Sequence, residues 1–505
     1  MAGSVHLVEQ QHNAVDGPRA SGFHAWLETA IVVCLGGVAL CAPLSTKGAV
    51  NCFRAAAVLW LIFLCTRRRK LLPQPLTVPL LLFLVLTAIS SAFSTDPFLS
   101  WGRMRTVSLI LLAIILGQAI RSLRQLKLLS ALLIGSCLLT VMYTGWQYTF
   151  GIGVAAAGSP PALASLQRFG LAHGEIIRKL AGRKIHTPYD LFAEPLPSGP
   201  VELAFWRETP NALQPFRMNV DAKALRAALQ GPGITLTRAH PPRAQGFFKH
   251  YFPFSEILVL VGLLMAGLAV AGVPDRKLRM ALTLAFFATA VTLALTLTRI
   301  SLLSLVVGAL IIAFTKSGNR LRWVSLAGLL LLASVGAYWV QRHRATPGSD
   351  PGTEYRLLMW HDSISMIRAH PILGVGFDSI AGDWQRWNLE AFRRFGLHSH
   401  FHSTPIQLAV ECGLPALAVW IWLLADYAWF LVRLRRAIPP HDWFARGLLL
   451  GALGGLVGFV LTGFLQYNFG DAEAMVVFWF IAGLTFAASR LVSEPGQVPA
   501  TNYLP

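Results

Sequence analysis

Twelve apolar stretches, most of them near the length needed to cross a bilayer, constrain this chain more than any other feature. They fall at about 26–44, 50–66, 77–94, 104–120, 127–149, 253–272, 280–298, 301–315, 323–340, 406–432, 447–467 and 473–490. A helix needs about 20 mostly apolar residues to span the hydrocarbon. Lipid offers no partner for an open backbone, so such segments must close their hydrogen bonds internally as helices. The fold class that follows is an all-α polytopic membrane protein with about 12 transmembrane helices and two large hydrophilic segments. Composition agrees: 54% of the 505 residues are hydrophobic and only 13% charged, where a soluble domain carries about a quarter charged residues. The chain divides into 1–149 (spans one to five), an insert at 150–252, 253–340 (spans six to nine), a loop at 341–405, and 406–505 (spans ten to twelve and a tail).

The basic residues set the orientation. One set of short loops carries Arg67, Arg68, Arg69 and Lys70, then Arg121, Arg124 and Lys127, then Arg276, Lys277 and Arg279. It continues with Lys316, Arg320 and Arg322, then Arg433, Arg435, Arg436 and Arg446. The alternate loops hold Lys47, Arg103, Arg105 and Arg299, so the split is seventeen to four. Lys and Arg concentrate on the cytoplasmic side. Both termini are therefore expected in the cytoplasm, and 150–252 and 341–405 on the opposite face. The even number of spans agrees with this, because it puts both termini on one side. The residues up to about Gly22 lack a signal-peptide pattern, so the first span reads as an uncleaved anchor.

Several function classes drop out. The net charge of +19 is spread over membrane-flanking loops and forms no basic face for nucleic acid. No P-loop and no GxGxxG after a strand is present. Cys34, Cys41, Cys52, Cys65, Cys137 and Cys412 lie in or beside apolar segments without metal-type spacing.

The loop 341–405 is rich in Arg, Trp and His. It suits an anionic amphiphile or a sugar, because guanidinium forks grip phosphate oxygens. It equally suits plain anchoring among lipid headgroups. His398, His400 and His402 would share a face if extended, which would fit either a metal cluster or ordinary loop histidines. His402 differs from the other two because it precedes the apolar run beginning near Pro405. The positive end of a helix dipole disfavours imidazolium there, and a neutral imidazole can accept a proton. Arg299 interrupts an apolar stretch, which marks either a functional arginine or a hairpin whose Arg snorkels to the headgroups. Arg243 precedes the sixth span on the same face, so Arg243, Arg299 and Arg356 can converge on one anion. The insert reads as two short helices, near 161–181 and 220–230, among Pro- and Gly-rich connections.

Four stretches together resemble the bacterial O-antigen ligase and O-antigen polymerase superfamily. They are Arg243-Ala-Gln-Gly246-Phe-Phe; Thr298-Arg299-Ile300-Ser301; Arg356, Trp360, His370-Pro371 and Gly374-Val-Gly376; and His402 followed by Glu411-Cys-Gly413. The likeness covers about 240–435. Ser403 stands where the family has Asn, and Thr298 and Ile300 flank the arginine where Ser and Gly are usual.

The resemblance implies an inverting, metal-independent glycosyltransferase of the bacterial inner membrane, with its active site on the periplasmic face and no cofactor. The donor would be a glycan on undecaprenyl pyrophosphate and the acceptor lipid A–core or another glycan. The partners would be those two substrates and the lipid bilayer, with no nucleic acid. His402 would be the base and Arg243, Arg299 and Arg356 the pyrophosphate ligands. Trp360, Glu411, Gly374 and Gly376 would support them. Polymerisation of O-units, transfer to protein, and lipid or polysaccharide transport are the alternatives.

Overall fold

The computed structural model describes residues 22–67, 74–171, 174–193, 199–208, 213–316, 327–328, 351–382, 384–396 and 400–492. Ten helices among them are long and apolar enough to cross a membrane. They are α1 (Gly22–Cys41), α2 (Thr46–Thr66), α4 (Pro97–Ala119), α5 (Leu123–Phe150), α7 (Tyr251–Val270), α8 (Arg276–Leu295), α9 (Arg299–Lys316), α12 (Thr404–Ala437), α13 (Trp443–Leu465) and α14 (Ala472–Val492). The expected span at 77–94 is the shorter apolar helix α3 (Thr77–Ala92). The expected span at 323–340 lies outside the described residues except at 327–328. The chain is a helical, polytopic membrane protein.

The centre of the bundle is α7, buried on nearly every side, with α13 and α14 against it. Small residues make this possible. A Cβ on Gly267 of α7 would strike the backbone of Gly447 and Gly451 on α13. Lipid tails are as apolar as leucine, so close backbone approach and dispersion hold such helices together more than any gain from leaving lipid.

The insert is not helical in the way its composition suggested. It is a small domain built on a six-stranded antiparallel sheet in the order β5-β4-β2-β1-β6, with β3 paired to β2. The strands are β1 (Gly153–Gly158), β2 (Ile176–Leu180), β3 (Arg183–Lys184), β4 (Pro200–Glu208), β5 (Leu213–Asp221) and β6 (Ile234–Ala239). The helix expected over 161–181 is instead a short turn of helix at Pro160–Ala164, a further 3-10 turn and β2. The helix expected over 220–230 is present as α6 (Ala222–Leu229), capped by the Asp221 carboxylate on the N–H groups of Lys223 and Ala224. Val201, Leu203 and Phe205 alternate along β4 with period two and turn to one face. There they meet Leu225 and Leu229 of α6 in a core of the domain's own.

The next helix given a range after α9 is α10 (Pro351–Ala369), followed by short helical turns and α11 (Glu390–Phe395). Tyr355, Met359 and Met366 of α10 bury against Phe392, Phe401 and Val410. This packing brings the 351–403 segment down onto the start of α12.

Candidate active site

The break in α12 organises the site. Pro415 has no N–H, so the Glu411 carbonyl loses its helical partner, and Gly413 leaves helical geometry at φ 82°. The segment after His370 satisfies the freed groups. Val375 N–H donates to Val410 O at 3.0 Å and Gly376 N–H to Glu411 O at 2.9 Å. The Ser90 hydroxyl of α3 also donates to Glu411 O, at 2.8 Å. In return, Leu414 N–H donates to Pro371 O at 2.8 Å. Only glycine permits this contact. Gly374 (φ 67°) and Gly413 have positive φ, and a Cβ on either would collide with backbone of the other strand of the crossing. Gly376 (φ 109°) passes Ser94 with the same lack of room. The Glu411 side chain is fully buried beneath, accepting from Gln407 Nε2 at 2.6 Å.

His402 sits just before this helix, at φ 50°. A non-glycine residue in the left-handed region stores on the order of 1–3 kcal/mol of strain when the surroundings hold it there. Three contacts do so. The Trp360 indole N–H donates to Phe401 O at 3.0 Å, Phe401 N–H to Gln407 Oε1 at 2.7 Å, and His402 N–H to His400 Nδ1 at 3.2 Å. Trp360 and Gln407 are thus the braces on either side of the base candidate. The His400 and His402 rings meet edge to face at 4.3 Å, and Tyr355 lies 5.8 Å from His402. His402 Nδ1 is buried without a hydrogen-bond partner.

Around these rings the structure gathers Arg243, His250, Tyr251 and Arg356. The Arg243 guanidinium lies over the Tyr251 ring at 4.4 Å. Both Arg243 and Arg356 act electrostatically on Tyr251, and Arg356 also acts on His400 and His402. Burial pushes His402 down to about 2, aided by His400 and Arg356. Burial also lowers His400 to about 4, with His250 and Arg356 adding to it, and His250 to about 4, with Arg243 adding. All three imidazoles are therefore neutral beside two guanidiniums.

Arg299 takes a different position. It opens α9 with an exposed side chain, and among the described residues no ion pair or hydrogen bond reaches it. Its turn is nevertheless tied to the site. Ala244 N–H donates to Leu295 O at 2.9 Å, and Ser255 and Ser301 join hydroxyls at 2.9 Å. The turn is closed by Thr296 and Thr298, whose hydroxyls bond each other at 3.0 Å, with Leu297 at φ 55° between them. Thr298, in the place where the family has Ser, thus serves the turn.

Two further histidines, neither given a role by the family resemblance, belong to the cluster. His250 caps α7, and His400 is half-buried against His402 and Tyr467, with 4.3 Å and 5.6 Å between ring centres. His400 is tied to the His402 amide by its own Nδ1. His398 lies outside the described residues. Among those residues no three His, Cys, Asp or Glu side chains form a group able to hold a metal ion.

Fold and site together define a polytopic membrane protein with a half-buried cluster of arginine and neutral histidine at one end of its bundle. Residues 284–421 match the family described as O-antigen ligase, so this segment of the chain is similar to that family. The matched stretch contains Arg299, Arg356, Trp360, Gly374, Gly376, His402 and Glu411; Arg243 and the insert precede it. No curated protein matches the chain.

Proposed function

We propose that this cluster transfers a glycan from undecaprenyl pyrophosphate to an acceptor hydroxyl, with lipid A–core as the acceptor, on the periplasmic face of the bacterial inner membrane. The observation that carries the reading is the gathering of Arg356 against His400 and His402, and of Arg243 against His250 and Tyr251, at the mouth of α12. The acceptor oxygen attacks the anomeric carbon and a new C–O bond forms. The bond from that carbon to the pyrophosphate oxygen breaks, and its electron pair leaves with the lipid pyrophosphate. His402 takes the acceptor proton. Arg243 and Arg356, with Arg299 from the neighbouring turn, stabilise the charge growing on the leaving group, a preorganised electrostatic role. The linkage itself supplies the energy, so the reaction needs no nucleotide.

A base pushed down to about 2 is weak in the free site. The donor corrects this. Its pyrophosphate sets negative charge beside the two guanidiniums, which favours the imidazolium and raises His402 toward its ordinary range. The base is therefore strongest when the donor is bound.

Purified protein in nanodiscs, given a lipid-linked glycan and either lipid A–core, a second donor molecule or a protein acceptor, tests the assignment. Transfer to lipid A–core marks a ligase. Chain extension on a second donor marks a polymerase, and labelled protein an oligosaccharyltransferase. Movement of intact donor across the membrane without transfer would replace the reading with transport.

A further inference from the structure

His250 and His400 share a local geometry that settles which ring nitrogen carries the proton. His250 Nδ1 accepts the N–H of Phe252 at 3.2 Å, and His400 Nδ1 accepts the N–H of His402 at 3.2 Å. A backbone amide can only donate, so each Nδ1 is unprotonated. A neutral imidazole then bears its single hydrogen on Nε2. Protonating Nδ1 would set two N–H groups against each other, and the low proton affinity that burial gives both rings agrees with the neutral form. No hydrogen bond to a described side chain occupies either Nε2. Both rings stand within the electrostatic reach of each other and of the arginine pair, His250 by Arg243 and His400 by Arg356.

We propose that His250 and His400 are uncharged Nε2–H donors to the pyrophosphate, locked in that tautomer by the amides of Phe252 and His402. The inference rests on the transferase reading for the identity of the anion. Its physical sense is one of balance. Two guanidiniums supply the charge that holds the donor, and two neutral N–H groups supply further directed hydrogen bonds. Charged imidazoles in their place would retain the product pyrophosphate and would remove His402's ability to accept a proton. The i, i+2 contact also ties each donor to a scaffold. His250 is fixed to the first turn of α7, and His400 to the strained residue that carries the base.

The two ring nitrogens separate donor from cap by substitution. Asparagine keeps an acceptor where Nδ1 stands and is a good helix cap, but it cannot reach the Nε2 position. Glutamine reaches the Nε2 position with an N–H and cannot cap. Binding of inorganic pyrophosphate to the full-length protein in nanodiscs, followed by calorimetry, is read beside thermal unfolding. His250→Asn and His400→Asn should keep the wild-type unfolding temperature and weaken pyrophosphate about tenfold each, the scale of one hydrogen bond to a charged group. His250→Gln should bind pyrophosphate like wild type and unfold earlier. The opposite order, with Asn variants binding normally and Gln variants binding poorly, would show that the rings only cap and would overturn the proposal. Wild-type protein that fails to bind pyrophosphate overturns it as well. Loss of pyrophosphate binding in the Asn variants of a protein that turns over no lipid-linked donor would uphold these donors while sinking the transferase reading.

Discussion

His402 is held at φ 50° by the groups on either side of it, and its ring is placed by that strain. His402→Ala should lower transfer roughly 10²–10⁴-fold, the usual contribution of a positioned base, while donor binding and thermal stability persist. A variant that turns over within a few-fold of wild type would remove His402 from the reaction. The three histidines also make a stability prediction. Each holds its proton more weakly in the folded protein than the ordinary value of 6.5. As pH falls below 6.5, the unfolded chain takes up protons that the folded one refuses. Stability present above that pH is therefore lost progressively as pH falls toward 4. The unfolding temperature should drop between pH 7.5 and pH 5, and drop less in His250→Asn. A transition that stays level across that range would show the rings to be solvated. For the arginines, Arg243→Lys should cost most of the donor turnover, because an ammonium cannot reproduce the planar fork. Arg299→Lys should cost less, since Arg299 is exposed at the edge of the cluster.

At the scale of elements, the break in α12 is the decisive device. Pro415 and Gly413 open the helix, and the Gly374–Gly376 backbone docks onto the carbonyls they free. Irregular backbone at membrane depth is tolerated only where other protein satisfies it, which is what Val375, Gly376 and Ser90 do. Gly374→Ala should destabilise the protein by about 3 kcal/mol, the upper range for an added group in a packed site, and abolish activity by displacing His402's helix. Unchanged thermal unfolding and turnover in Gly374→Ala would mean that the crossing is not needed. Trp360→Phe keeps the ring and deletes the indole N–H to Phe401. It should reduce turnover with little change in unfolding temperature.

For the whole molecule, the seventeen-to-four distribution of basic residues predicts that reporter fusions after Gly170 and after Gly382 lie outside the cytoplasm. A cytoplasmic signal at either site would remove the proposed chemistry from the periplasm. Because arginines supply the charge that the leaving group needs, transfer should survive EDTA. Abolition by EDTA with recovery on added zinc would refute the metal-independent mechanism.

The periodic and compositional signals were legible without a structure, and for a physical reason. Lipid imposes one rule, long apolar helices with closed backbones, on every crossing segment. The helices, the flanking charges and the motif residues His402, Arg243, Arg356 and Gly374 all stand out against that uniform background. The insert obeyed no such rule. Four of its six strands have six residues or fewer, and in β4 the alternation of Val201, Leu203 and Phe205 is too brief to rise above the surrounding Pro and Gly. Its hairpins β2–β3 and β4–β5 are joined into one sheet only through pairings as distant as β1 with β6. The cluster itself was likewise a tertiary decision. His250 and His400 look in sequence like any loop histidines. The tautomers proposed for them rest on an amide two residues on, while their low proton affinity comes first from burial and then from neighbouring charges, and His400 gains that burial only when α10 has packed against the start of α12.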